Sequence, residues 1–331
     1  MAARRPAAPS THDRAVGVVL GAAVGDALGA PFEFLPRGTF STQLPDRRPD
    51  GTGDMVGGGV LGWAPGEFTD DTQMGLALTA SLLERDGYDP DDLWRRWQVW
   101  ATTSIDVGNT TRFALAHADW RDVVHPDPER TAANGALMRA FPLALATLGS
   151  DDATARAITL HQSLLTHAHP AAAWGAWLGV AMMRAGVAGD DPLTVLEPEL
   201  SLLSERDPST AGRFVAMLDP RWQPEDGDDA GVGNGSVWGC LAQSVWALRR
   251  HGSFADVVAD VVDLGKDTDT VACVAGAIAG AREGASAIPA GWLEPLHGTL
   301  DTPGGQERYD LARLTELATR LIPGTGDGRP T

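Results

Sequence analysis

Two short acidic clusters constrain this chain more than any other feature. Thr69-Asp70-Asp71-Thr72 and Asp267-Thr268-Asp269-Thr270 each stand at the head of a long run of small and apolar residues with helical character. The first helix start has the sequence TDDTQMGLALTASLLE and the second DTDTVACVAGAIAGARE. Asp and Thr are favoured N-caps, and unpaired amides with the helix dipole favour negative charge there. One such cluster would be read as a cap. Two clusters with three or four consecutive oxygen donors exceed what capping needs, and both enter helices too rich in Ala, Gly and Val to face solvent. Crowded carboxylates repel one another unless a cation neutralises them. Hard oxygen donors suit Mg²⁺, Mn²⁺ or Ca²⁺ better than Zn²⁺. Sharing metals requires the two clusters to meet, which predicts one undivided domain.

The rest of the chain agrees with that frame. Helical periodicity runs through almost every segment and no convincing alternating strand is seen, so the prediction is an all-α domain of about ten to fourteen helices. An Ala/Gly-rich helix is expected over residues 13–28, and the DDT helix to about Arg85. Leu93, Trp94, Trp97 and Trp100 fall at helical spacing and read as core. Residues 190–230 are polar and Pro-rich, with one short helix expected over 199–205. Residues 1–12 and 323–331 read as disordered ends around a single domain of residues 13–322.

Across 331 residues the formal net charge is −18, which argues against a nucleic-acid backbone or an anionic lipid surface as partner. The two cysteines, Cys240 and Cys273, lack any metal-site or framework spacing, which fits a reducing cytosol. Arg4-Arg5 before AVGVVLGAAVGDALGA superficially resembles a secretory signal, but Asp26 interrupts the apolar run. No run is read as long enough to span a membrane. The expectation is a cytoplasmic monomer.

Several polar stretches, all but one containing glycine, deliver donors to the mouth of an apolar helix: residues 26–33, 106–111, 134–139, 166–169 and 231–236. Glycine permits close approach of backbone to a ligand, and helix N-termini offer amides to phosphate. Each alone is equally a turn. The GVGNGS string lacks a preceding strand and is not a dinucleotide fingerprint. His167 is readable either as a site residue or as a satisfied core histidine.

Taken in order, GAAVGDALGAPFEF, GEFTDDTQM, IDVGNTTRFAL, NGALMRAFPLAL, THAHPAAAWGA, GNGSVWGCLAQSVWAL and KDTDTVACVAGAIAGA resemble the ADP-ribosylglycohydrolase family, in its dinitrogen-reductase-activating and ADP-ribosylarginine hydrolase types. The resemblance runs from about Val16 to Gly284. It implies a compact, all-α orthogonal bundle with a central dinuclear site for two divalent cations, Mg²⁺ or Mn²⁺. Thr69, Asp70 and Asp71 match one ligand set, and Asp267, Asp269 and Thr270 the other. Glu33 matches the acidic residue near the scissile bond, with Asp70 as a base. Asn134, Gly135, His167 and the loop of Gly233, Gly235 and Ser236 match positions around the ADP-ribose, and Asp106 a residue on the guanidinium side. Relatives of the nitrogenase type carry an aromatic where Ser236 stands, and residues 192–229 match no family motif.

The implied activity is metal-dependent hydrolysis of the glycosidic bond at C1″ of an ADP-ribosylated protein or small conjugate, arginine-linked by virtue of Asp106. Serine-linked ADP-ribose and O-acetyl-ADP-ribose are alternative substrates. An all-α nucleotide pyrophosphohydrolase would need helix-borne Glu-x-x-Glu spacing, which is not evident. A non-catalytic ADP-ribose binder would be expected to have lost ligand positions, and all are present.

Overall fold

Glycine at every fourth position sets the centre of the molecule. In a computed structural model describing residues 8–229 and 231–323, the helix Thr11–Gly29 crosses the helix Thr268–Glu283 with their backbones in contact. A methyl group on Gly17, Gly21, Gly25 or Gly29 would lie no more than 2.5 Å from the carbonyl oxygens of Gly280, Gly276, Ala272 and Thr268 in turn. Gly276 and Gly280 return the same close approach. Small residues on both faces therefore bring one end of each helix together. The last turn of the N-terminal helix, carrying Asp26, meets the first turn of the helix that carries Asp269 and Thr270.

Around this pair the described residues form sixteen α-helices, six 3₁₀ turns and one two-stranded sheet. The all-α expectation holds, with more helices than foreseen and one addition. The buried helix Pro170–Ala188 packs alongside, and the DDT helix Asp70–Glu84 closes another side. Trp94, Trp97 and Trp100 are buried, as their spacing predicted.

Several expectations are corrected. The helix expected over 199–205 is present as the longer Leu196–Arg206, but two further helices, Pro208–Met217 and Pro224–Asp229, were not expected in residues 190–230. Pro208 and Pro224 each open a helix, where proline is well placed, and Asp207 caps the helix Pro208–Met217 by accepting from the Thr210 amide at 3.1 Å. The antiparallel strands β1 (His297–Thr302) and β2 (Gly305–Asp310) were also not expected, because Leu300 and Tyr309 are their only larger apolar residues, too few to show an alternating pattern in the sequence. Finally, Thr11–Phe32 is long and apolar enough to cross a membrane, with a mean hydropathy of 1.6, although its apolar window lies inside the protein.

The hairpin has a role at the site. The Phe68 amide donates to the His297 carbonyl at 3.0 Å, and the His297 amide to Gly66 at 2.9 Å. Phe68 packs against Gly298, so the hairpin fixes the approach to Thr69. At the N-terminus, Ser10 caps a helix that begins at Thr11, inside the stretch read as disordered. Residues 1–7 and 324–331 lie outside the described residues.

Candidate active site

Asp26 decides how the first acidic cluster is displayed. Its buried carboxylate accepts from the Thr69 amide (2.9 and 3.1 Å), the Thr72 amide (3.0 Å) and the Thr72 hydroxyl (2.6 Å). The DDT helix is thus capped from another helix. The hydroxyl of Thr69, at the N-cap position, makes no capping bond and lies instead 3.5 Å from Asp70 Oδ1 and 3.4 Å from Asp71 Oδ2. The second cluster behaves alike. Asp267 holds an N-cap position without a capping bond and accepts from Asn134 Nδ2 at 3.0 Å. Thr268 donates its hydroxyl to the Gly29 carbonyl at 2.8 Å, closing the other end of the helix crossing. Capping therefore does not explain Thr69 or Asp267.

The two clusters touch. The Thr270 hydroxyl lies 3.4 Å from Asp71 Oδ2. Carboxylate oxygens of Glu33, Asp106 and Asp269 all lie within 4.8 Å of one another. A cavity of about 130 Å³ opens here, lined by Glu33, Asp70, Asp106, Asn134, Gly135, His167, Asp267, Asp269 and Thr270, with Gly108 to Thr111, Ala133 and Met138. Glu33 follows the 3₁₀ turn Ala30–Phe32, and the next residue, Phe34, is held at φ +66° by a bond from its amide to the Lys266 carbonyl (2.6 Å).

Not every expected residue lines this cavity. Thr69 and Asp71 sit behind it. Gly233, Gly235 and Ser236 also lie outside the lining; Gly235 is close to Asp267 Oδ2, while the Ser236 hydroxyl caps the helix Val237–Arg250 through the Gly239 amide at 3.1 Å. Asn134 ties that loop in as a donor: its backbone N–H donates to the Gly235 carbonyl at 3.2 Å and its Nδ2 to the Asn234 carbonyl at 3.0 Å.

Three contributors escaped the sequence reading. Asp26 reads from the sequence as a break in an apolar run and the start of a polar stretch, with nothing to mark it as the residue that holds the first acidic cluster. Asn234 is buried and holds the second cluster, giving Nδ2 to the Gly265 carbonyl (3.0 Å) and accepting from the Asp267 amide (3.3 Å). Arg139, fully buried, stacks on Trp97 and backs His167. A lone charged residue inside an apolar helical run was the available signal for Asp26 and Arg139.

Residues 7–328 match the sequence profile of the family described as ADP-ribosylglycohydrolase. The chain belongs to the ADP-ribosylglycohydrolase family. It is 34% identical over 295 residues to the ADP-ribosyl-[dinitrogen reductase] glycohydrolase of Rhodospirillum rubrum, covering 87% of this chain and 92% of that one. It is 32% identical over 298 residues to the ADP-ribosylarginine hydrolase Tri1 of Serratia proteamaculans (strain 568), covering 86% and 75%. A solved structure titled "ADP-ribosylglycohydrolase-related protein complex" superposes with a TM-score of 0.73 at 32% identity, covering 96% of this chain and 99% of that one. The protein is an enzyme of this glycosidic-bond-hydrolysing family.

The charges of this ADP-ribosylglycohydrolase site are unbalanced. Burial, then the charges of Asp106, Asp267 and Asp26, pushes Glu33 up to about 8. Burial raises Asp26 to about 6 against the hydrogen bonds from Thr72 and Thr69. Asp70, Asp71 and Asp269 are driven well above the usual carboxylate range, by burial first and then by surrounding carboxylates, Asp26 and Asp267 among them in each case. Asp106 is raised by burial and by Asp267. Asp71 Oδ1 is buried without any hydrogen-bond partner. An all-oxygen donor set with an orphaned carboxylate oxygen and repelling charges fits a hard divalent cation.

Acids whose folded pKa is raised stabilise the cation-free protein fully below their unfolded values, 3.8 for Asp26 and 4.5 for Glu33. That contribution is lost as pH rises through about 6 for Asp26 and about 8 for Glu33. In chelator, the Tm should therefore fall between pH 5 and pH 8. Mn²⁺ at a hundredfold over its Kd should add about 2.7 kcal/mol. At ~2.1 cal/mol/K per residue this is about 4 °C, and at one fixed Mn²⁺ concentration the gain should be larger at pH 8 than at pH 5, because cation binding displaces protons. Differential scanning calorimetry with and without EDTA checks it; a cation-independent Tm at both pH values would contradict a cation site here.

Proposed function

We propose that the enzyme removes ADP-ribose from arginine side chains by hydrolysing the N-glycosidic bond at C1″. The observation that carries this is the convergence of Glu33, Asp106 and Asp269 at one cavity, with both acidic clusters behind it. Thr69, Asp70, Asp71, Asp267, Asp269 and Thr270 would hold two divalent cations, Mg²⁺ or Mn²⁺. Bound there, the cations would supply the positive charge that keeps these carboxylates ionised and would lower the pKa of water.

The residues of this chain do the rest. Glu33, held protonated near neutral pH, gives its proton to the departing guanidine nitrogen as the C1″–N bond breaks. Asp70, at the cavity wall, takes a proton from the water whose oxygen bonds to C1″. The products are ADP-ribose with a C1″ hydroxyl and an unmodified arginine. Positive charge building on the ribose ring in an oxocarbenium-like transition state is met by the surrounding carboxylates. Asn134, Gly135 and His167 form the wall against which the ADP-ribosyl group is placed. Cys240 and Cys273, both buried thiols without a disulfide, support a cytosolic setting.

Asp106 supports arginine over serine as acceptor, since a carboxylate pairs with a guanidinium through two parallel hydrogen bonds. Asp106→Ala should lower kcat/KM on ADP-ribosyl-arginine by about thirtyfold, the equivalent of ~2 kcal/mol for one charge-assisted interaction. Affinity for free ADP-ribose, read by calorimetry, should change little. The activity itself is tested by product analysis on mono-ADP-ribosylated arginine with Mn²⁺ or with EDTA. Metal-dependent release of intact ADP-ribose and free arginine is expected. AMP as product would indicate cleavage of the diphosphate, and turnover confined to serine-linked ADP-ribose would overturn the arginine assignment.

A further inference from the structure

His167 is 1% exposed yet lines the cavity, and its Nε2 finds no hydrogen-bond partner among the described residues. A methyl group on Gly135 would lie 3.3 Å from this Nε2 and from Cε1, so the unpartnered edge of the ring faces the Asn134-Gly135 turn. Behind the ring stands a closed set of hydrogen bonds. Arg139 Nη2 donates to the Thr166 hydroxyl oxygen at 2.8 Å and to the Gln162 carbonyl at 3.1 Å, while Arg139 Nε donates to Gln162 Oε1 at 3.1 Å. The Thr166 oxygen also lies 2.8 Å from His167 Nδ1. His125 Nε2 contacts the Thr166 carbonyl at 2.8 Å, and a carbonyl can only accept.

Donor and acceptor bookkeeping fixes the protons. A guanidinium has donors only, so the Thr166 oxygen accepts from Arg139. The hydroxyl proton must then go to an acceptor, and His167 Nδ1 is the one acceptor in reach. Had Nδ1 carried the hydrogen, the Thr166 proton would be buried and unsatisfied beside a cation, a costly arrangement. We infer that Arg139 and Thr166 are positioning residues that lock His167 in the neutral Nε2–H form, making it a dedicated hydrogen-bond donor to an oxygen of the ADP-ribosyl group, a ribose hydroxyl or a phosphate. The ligand half of this inference rests on the glycohydrolase reading above; the tautomer half does not.

The test separates the two. Long-range ¹H–¹⁵N correlation spectra of the full-length protein labelled at histidine distinguish Nε2–H from Nδ1–H, and the missing signal in His167→Gln assigns the residue. His167 should show the Nε2–H pattern without any ligand. An Nδ1–H pattern in the unmodified chain overturns the inference, whatever the variants do. Thr166→Val, which removes the hydroxyl at constant shape, should lose the pure Nε2–H pattern and bind ADP-ribose up to about tenfold more weakly; Thr166→Ser should restore both. A Thr166→Val protein with an unchanged pattern overturns the role of the relay. On adding ADP-ribose, the His167 Nε2 signal should move; binding that shifts other resonances and leaves this one still overturns the donor assignment. ADP-ribose that moves no resonance counts against the glycohydrolase reading and leaves the ligand-free tautomer result standing on its own.

Discussion

Asp269→Ala should reduce turnover by about a thousandfold or more. Asp269 is one of three carboxylates whose oxygens converge at the cavity, and its neighbours include both Glu33 and Asp71. Removing one anionic donor from a cation site forfeits several kcal/mol of charge stabilisation in the transition state. A loss of about 4 kcal/mol corresponds to about three decades in rate. The same substitution should weaken Mn²⁺ binding measured by calorimetry, so activity is not the sole readout. A companion variant carries an opposite sign. Asp269→Asn keeps an acceptor for the Thr270 amide, which bonds Oδ1 at 2.9 Å, while deleting a charge that repels Glu33 and Asp71. In chelator at pH 8 that variant should unfold at a higher temperature than the unmodified protein, yet gain less from added Mn²⁺. Wild-type turnover in Asp269→Ala would remove the second cluster from the site; a lower Tm for Asp269→Asn in chelator would show that the carboxylates are not in conflict.

The acidic clusters were legible because their donors are consecutive and the following residues are visibly buried-type. What could not be read was who satisfies whom. Asp26 lies 43 residues from Thr69, and only the folded helix crossing reveals that its carboxylate replaces the local cap and frees the Thr69 hydroxyl. Ser236 illustrates the reverse. Its place in a glycine loop suggested ligand contact, and local capping of the next helix takes up its hydroxyl. The hairpin of residues 297–310 stayed hidden because so little of it is buried, so it carries almost no alternation. Proline misled in residues 190–230 because the same residue ends one helix and opens another, and the sequence there has few apolar positions to decide between them. The four-residue glycine spacing of the first helix is present in the sequence, but its meaning depends on a partner helix far along the chain, Thr268–Glu283, having matching small residues.

That spacing supports the second large effect. Gly25→Ala should destabilise the protein, although alanine is the better helix former by about 1 kcal/mol. The new methyl group would overlap the Ala272 carbonyl and come within 2.9 Å of the Cys273 amide nitrogen. These are backbone atoms, so no rotamer change relieves the overlap and the two helices must separate. Overpacking of this kind costs about 3 kcal/mol or more, which at ~2.1 cal/mol/K per residue lowers the Tm by about 4 °C or more. The site should suffer beyond the stability loss, because separation pulls Asp26 and Glu33 on one helix end away from Asp269 and Thr270 on the other. Gly212→Ala is the control. Gly212 lies in the exposed part of the helix Pro208–Met217 with nothing within 4 Å of an added methyl, so the same substitution should stabilise by about 0.5–1 kcal/mol and leave turnover alone. If both variants shift the Tm in the same direction, helix propensity and not backbone contact governs the crossing, and the account of how the two clusters are brought together fails with it.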